Sequence, residues 1–173
     1  MRTSDATMLI EHLYWVRDAV LLAASRMPAD AFTATGTVTN RDLRATLVHE
    51  LDVQWSWRER LKGADWDEWG PDAELRGEDY PTVEAVAEHW RRDEIVMREW
   101  LDGLADADLE YSPVRDDDRQ PLWHYVMHLY SHGLQQFTEA AVLLTRAGQS
   151  PGDIGFLEFV QQTGRRSAAT DAT

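Results

Sequence analysis

Residues 124–148, HYVMHLYSHGLQQFTEAAVLLTRAG, run without a proline or an internal turn signal, and the spacing predicts one long helix. Within it His124, His128, His132 and Gln136 recur every fourth residue. A helix turns about 100° and rises about 1.5 Å per residue, so each such step returns within roughly 40° of its starting direction and climbs about 6 Å. The four heads therefore form a ladder on one side. Next to it runs an apolar stripe, Leu122, Val126, Leu129, Gly133, Phe137, Ala140 and Leu144, at the spacing of a helix packed on a core. The ladder borders that core, so its heads can point into a bundle.

The rest of the chain reads as three more amphipathic helices. Ser4 and Asp5 offer capping oxygens to a first helix over residues 5–26, with Leu9, Leu13, Val16, Val20 and Ala23 as its stripe. Pro28 and the small polar run through Thr39 end that pattern. Thr39 or Asn40, with Asp42 close behind, caps a second helix in which Leu43, Leu47, Val48, Leu51 and Trp55 face the core, His49 sits on the edge of that face, and Gly63 is the stop. Residues 64–81 are acidic, hold Trp66 and Trp69, and show no helical period. A connection of that length suits a crossover better than a hairpin. Thr82 caps a third helix carrying Val83, Val86, Trp90, Met97, Leu101 and Leu104. The aspartates 116–118 precede the long helix and suit its N-terminal dipole. After Gly148 come a turn, a short docked helix over residues 154–162, and a mobile polar tail over residues 165–173.

These elements predict an all-α fold, a four-helix bundle with one long crossover and a short C-terminal helix, as one domain over residues 1–164. No apolar run approaches the ~20 residues of a membrane span, and Thr3, Ser4, Asp5, Glu11 and His12 interrupt any signal-peptide pattern, so a cytoplasmic protein is expected. With 31 acidic against 17 basic residues, a net charge of -14 repels a phosphate backbone and argues against nucleic acid as a partner. The chain has no cysteine, which removes disulfides, thiolate metal sites and a cysteine nucleophile.

A bundle core hosts sites built from facing helices. Here the sequence offers His49 on the second helix and His128, His132 and Gln136 on the last. A pair four residues apart plus one ligand from a neighbouring helix can hold a divalent transition metal and leave a position open. The ordinary alternative is a set of polar residues bordering the core, bonded to Tyr14, Tyr125, Tyr130 or backbone. Glu50 and Asp52 are candidates to orient His49, although carboxylates on an acidic helix are more often on the surface. Trp15, Trp55, Trp57, Trp90, Trp100 and Trp123 read as core, or as walls of an apolar pocket. Trp66 and Trp69 read as rings closing over the site or packing in a dimer interface.

The segment LWHYVMHLYSHGLQQFTEAAVLLTRAGQSPGDIGFLEF resembles the last-helix signature of the DinB-like superfamily, which includes mycothiol-dependent maleylpyruvate isomerases and bacillithiol transferases. LVHELDVQWSWRERLKG and YWVRDAVLLAASRMPADAF are similar, more loosely, to its second and first helices. The resemblance implies an up-down-down-up bundle, a homodimer, and a divalent metal, zinc or nickel, held by one histidine of the second helix and two positions of the last. Carried over, the ligands are His49, His132 and Gln136, with His128 as the alternative to Gln136. Where the family run ends His-Arg-Gly-Gln, this chain has Gln136, Phe137, Thr138 and Glu139. An amide oxygen is a poorer ligand than imidazole for these ions. Three states are therefore open: a metal on His49, His132 and Gln136 with waters, a metal on His49, His128 and His132, or none. Glu139 is a candidate supporting acceptor or substitute ligand.

The implied activity is that of a thiol-dependent transferase or a metal-dependent hydrolase acting on a small molecule, with a low-molecular-weight thiol as cofactor in the first case. The alternative is a metal-free, non-catalytic bundle that binds a small molecule or serves as a dimeric interaction module.

Overall fold

A computed structural model describes residues 1–34, 36, 38, 40–65, 73–114 and 119–170, with backbone alone for residues 34 and 165–170. Among the described residues there are helices and no strand: α1 (Thr3–Ala24), α2 (Ala31–Ala34), α3 (Leu43–Leu61), α4 (Val83–Asp102), α5 (Leu122–Arg146) and α6 (Phe156–Thr170). The four long expected helices are present, and the differences lie at their ends. Helix α1 starts at Thr3, before the expected caps. Asp5 instead reaches back from the first turn, its Oδ2 accepting from Arg2 N at 3.0 Å. Asp42 is the cap of α3, its side chain accepting from Ala45 N at 2.8 Å, and the proposed Thr39 cap lies outside the described residues. Thr82 caps α4 as expected, through Ala85 N. Pro121 precedes α5 with no side-chain cap, and the aspartates 116–118 are outside the described residues. Helix α6 continues to Thr170, well past the expected end at residue 162 and through part of the proposed tail.

Contacts between helices fix their directions. His12 meets Tyr130 and Arg26 meets Gln149, so α1 and α5 run parallel. Arg17 pairs with Glu94 and Glu11 with Arg98, so α4 runs against α1. Trp90 bonds Gln54 and Asp93 bonds Arg58, which sets α4 parallel to α3. Glu50 meets His132 while Trp57 packs on His128, which sets α5 antiparallel to α3. Around the bundle the order is α1, α5, α3, α4.

The apolar stripes fill the space between them. Leu13, Val16, Val20, Leu43, Leu47, Leu51, Val86, Trp90, Phe137, Ala140 and Leu144 are buried in one cluster. Each large side chain of this set contributes about 1.5–3 kcal/mol by leaving water. Every residue of the stripe expected on α5 is buried. Helix α2, inside the run read as irregular, drops Phe32 into the same core. Helix α6 docks through Phe156 and Phe159 on the ring of His12, whose Nε2 hydrogen-bonds to Ile154 O at 3.1 Å.

Candidate functional site

The ladder on α5 does not stay on one side of the helix. Its repeat of four residues overshoots the helical repeat of about 3.6, so each rung is rotated roughly 40° from the last. His128 is exposed, the His132 side chain is 20% exposed, and Gln136 is 4% exposed. From His128 to Gln136 the ladder thus winds from solvent into the bundle, with His128 against Trp57 of α3 and His132 against His49.

There the rings of His49 and His132 lie edge to face, with centroids 5.3 Å apart. Two imidazoles sharing a tetrahedral ion at about 2.0 Å place their centroids roughly 5 Å apart. The spacing suits a shared ligand. His132 is oriented from behind: its Nδ1 lies 2.8 Å from Glu50 Oε2. Glu50 is fully buried, also accepts from Gln54 Nε2 at 2.7 Å, and is held above the usual carboxylate range by burial, with the His132 contact acting in the opposite direction. Gln54 in turn accepts from the indole Nε1 of Trp90 at 3.0 Å. On the α5 side Gly133 makes room, since a Cβ there would lie 2.6 Å from Glu50 Oε1 and 2.7 Å from Leu13 Cδ1.

Burial, then the charges of Arg41 and His132, push His49 down to about 4, with Glu139 acting in the opposite sense. A neutral imidazole at neutral pH is the form that binds a metal. Gln136 carries a second unusual feature: its Oε1 is buried and accepts no hydrogen bond from the protein. Glu139 is 9% exposed and takes a hydrogen bond from Gln135 Nε2 at 3.3 Å.

The profile of the DinB family matches residues 1–170. The chain belongs to the DinB family. No curated protein matches it significantly. Among the described residues of this DinB-family bundle, no helix is long and apolar enough to cross a membrane.

His49 and His132 come together as the sequence suggests, and Gln136 lies one turn beyond His132, buried. His128, the alternative to Gln136, has its ring 5.4 Å from Trp57 and 5.9 Å from His132. Among the described residues no three His, Cys, Asp or Glu side chains group closely enough to hold a metal ion. Gln136 Oε1 is a buried acceptor without a hydrogen bond, one turn along α5 from His132.

Two supporting residues depart from expectation. Glu50, read by default as a surface carboxylate or as a partner of His49, is a core residue and partners His132. Asp52 accepts from Leu75 N at 2.9 Å and so joins the residues that lead into α4 to α3. Gln54 and Trp90 were not legible as site residues. The only sequence signal was a glutamine in place of an apolar residue on the inner face of α3.

Of the tryptophans, Trp90 is core, Trp57 packs on Tyr125 and His128, Trp15 packs on His12, and Trp55 lines a cavity of about 400 Å³ with Glu59, Ala64 and Ala73. Trp66 and Trp69 lie outside the described residues.

Proposed function

We propose that this DinB-family bundle holds a divalent transition metal, zinc or nickel, through His49, His132 and Gln136. We further propose that it catalyses the addition of an external nucleophile, a small thiol or water, to an electrophilic small molecule. The observation that carries this reading is the buried, unbonded Oε1 of Gln136 on the same helix as a histidine whose far nitrogen is already tied to a buried carboxylate. An amide oxygen left unsatisfied in a core costs about 1–3 kcal/mol, and such groups are retained where a ligand completes them. Histidine ligands commonly hand their second nitrogen to a carboxylate, as His132 does. A divalent ion bound there supplies Lewis acidity and lowers the pKa of a thiol or water.

The protein's own residues do the rest. Glu50 fixes the His132 ring, the burial of His49 keeps it unprotonated, and the absence of cysteine from the chain leaves a thiol to arrive as a cofactor. The competing reading is a metal-free interaction module, favoured by the amide that stands where the family has an imidazole.

Elemental analysis of untagged protein, beside His49→Ala and His132→Ala, separates the two. Near-stoichiometric zinc or nickel lost in both variants supports the metal site and directs screening to thiol-transfer and hydrolysis substrates. Protein that is metal-free and refuses added ions overturns the enzyme reading.

A further inference from the structure

Trp90, on the opposite side of the bundle from His132, is joined to it by three consecutive hydrogen bonds. The indole Nε1 donates to Gln54 Oε1 at 3.0 Å, Gln54 Nε2 donates to Glu50 Oε1 at 2.7 Å, and Glu50 Oε2 meets His132 Nδ1 at 2.8 Å. Trp90, Gln54 and Glu50 are 0%, 1% and 0% exposed, so water does not compete for these groups.

The far end of this chain fixes the Gln54 amide, and the Gln54 amide favours the ionised form of Glu50 against the burial that opposes it. An indole N–H can only donate, so the Gln54 amide must turn its oxygen toward Trp90 and its NH₂ toward Glu50. One carboxylate oxygen is then taken by a donor from α3. With Glu50 held ionised by that donor, its other oxygen accepts the Nδ1 proton of His132, which leaves the Nε2 lone pair of that ring free.

We propose that Gln54 and Trp90 are positioning residues that set the tautomer and orientation of His132 through Glu50, presenting Nε2 as a ready metal ligand before any ion arrives. This rests on the metal-site reading for its purpose, but the tautomer is a property of the protein alone. Buried chains of this kind reinforce one another, and outer partners of a ligating histidine commonly change metal affinity by about 10–100-fold.

The test uses the full chain, labelled with ¹⁵N in histidine, stripped of metal and observed at neutral pH by long-range ¹H–¹⁵N correlation, with the His132 ring assigned from a His132→Gln spectrum. Wild-type protein is expected to show His132 protonated on Nδ1 as a single tautomer. A proton on Nε2 overturns the proposal with no variant needed. Gln54→Met, close in shape and without polar hydrogens, and Trp90→Phe, which removes the donor, are expected to give a mixed or inverted tautomer. Both should also weaken zinc binding about 10–100-fold in chelator competition. A purely structural role would lower the melting temperature of these variants and leave the His132 nitrogen shifts where they are in wild type, which also overturns the proposal. Should wild-type protein bind no zinc while its tautomer is Nδ1–H and responds to both variants, the metal-site reading fails and the relay stands.

Discussion

The carboxylate of Glu50 lies where a side chain on Gly133 would begin: a Cβ at residue 133 would stand 2.6 Å from Glu50 Oε1. Helix α3 can bring that carboxylate to His132 because the neighbouring position on α5 has no side chain. Leu13 presses on the same spot from α1, so neither neighbour can retreat without disturbing a buried layer. Gly133→Ala is therefore expected to destabilise the fold by about 1–3 kcal/mol, despite the better helix propensity of alanine. Chemical unfolding measures the loss. An unchanged or raised midpoint would show that Glu50 is free to move.

Arg58 and Asp93 form an ion pair between α3 and α4 at 2.5 Å, with side chains 3% and 2% exposed. Burial holds the Asp93 carboxyl above its ordinary range and the Arg58 charge pulls it back. Removing Asp93 leaves the Arg58 charge in the core with only the half-buried Glu59, 3.0 Å from its Nε, as carboxylate partner, so Asp93→Ala is expected to cost about 3 kcal/mol, the low end for a broken buried pair. The double variant Arg58→Met/Asp93→Leu should recover most of that, because desolvating the pair consumes much of what their attraction returns. Denaturant midpoints of the two proteins, compared with wild type, check both statements. A double variant as unstable as the single one would contradict the argument.

The same pair shows why some of this molecule could be read from its sequence and some could not. Apolar residues at helical spacing located the four long helices, and every member of the α5 stripe is buried, because a period near 3.6 has one physical cause. Glu50, Gln54, Arg58, Asp93 and Gln136 are buried too, but a hydropathy pattern treats each as an outward position. Their burial depends on partners from other helices, which periodicity within one helix does not contain. Periodicity offered His49 together with both His128 and His132, and it was the family resemblance that singled out His132 as its partner. Helix ends were legible where one oxygen was on offer, as at Thr82. They were not at residues 39–42, where several capping side chains are adjacent and tertiary packing chooses among them.

His12 holds the approach to α6 by two bonds, Nδ1 to Tyr130 Oη at 3.0 Å and Nε2 to Ile154 O at 3.1 Å. It is 1% exposed, so a phenyl ring would fill the space and lose both bonds. His12→Phe is expected to cost about 1–3 kcal/mol locally by stranding the Ile154 carbonyl. Amide hydrogen exchange should accelerate over residues 155–163 and remain as in wild type through α3. Uniform acceleration across all helices would mean that α6 is integral to the global unit.

Acid sensitivity follows from His49. In the fold it is pushed down to about 4 from an ordinary 6.5, while the unfolded chain takes up its proton near the ordinary value. Between these two values the unfolded state binds more protons, so stability contributed by the neutral ring is lost as pH falls from 6.5 toward 4. His12 and His89 are lowered mainly by burial and add in the same direction. Glu50 and Asp93, raised mainly by burial, act oppositely. Comparison with His49→Asn isolates one ring: metal-free wild type should lose about 1–2 kcal/mol more than the variant across this interval, a figure reduced for the partial exposure of the ring. Parallel melting curves for the two proteins would refute the shift.

Gln136 sets stability against ligand binding. Its Oε1 is buried and unbonded, so the metal-free fold is carrying an unsatisfied acceptor. Gln136→Leu removes that group at similar volume, and is expected to raise the melting temperature of the metal-free protein by an amount equivalent to about 1 kcal/mol. On the proposed site the same substitution should weaken zinc or nickel binding, because it removes the amide oxygen assigned there as third ligand. Gln136→His should move affinity the other way, by about tenfold or more, since imidazole is the better donor for these ions. If the amide is a ligand, Gln136→Leu raises the melting temperature and lowers affinity relative to wild type, while chelator competition ranks histidine above glutamine above leucine. Were Gln136→Leu to lower stability and leave metal affinity unchanged, the amide would be a packing residue, and His49 and His132 would need a different third partner.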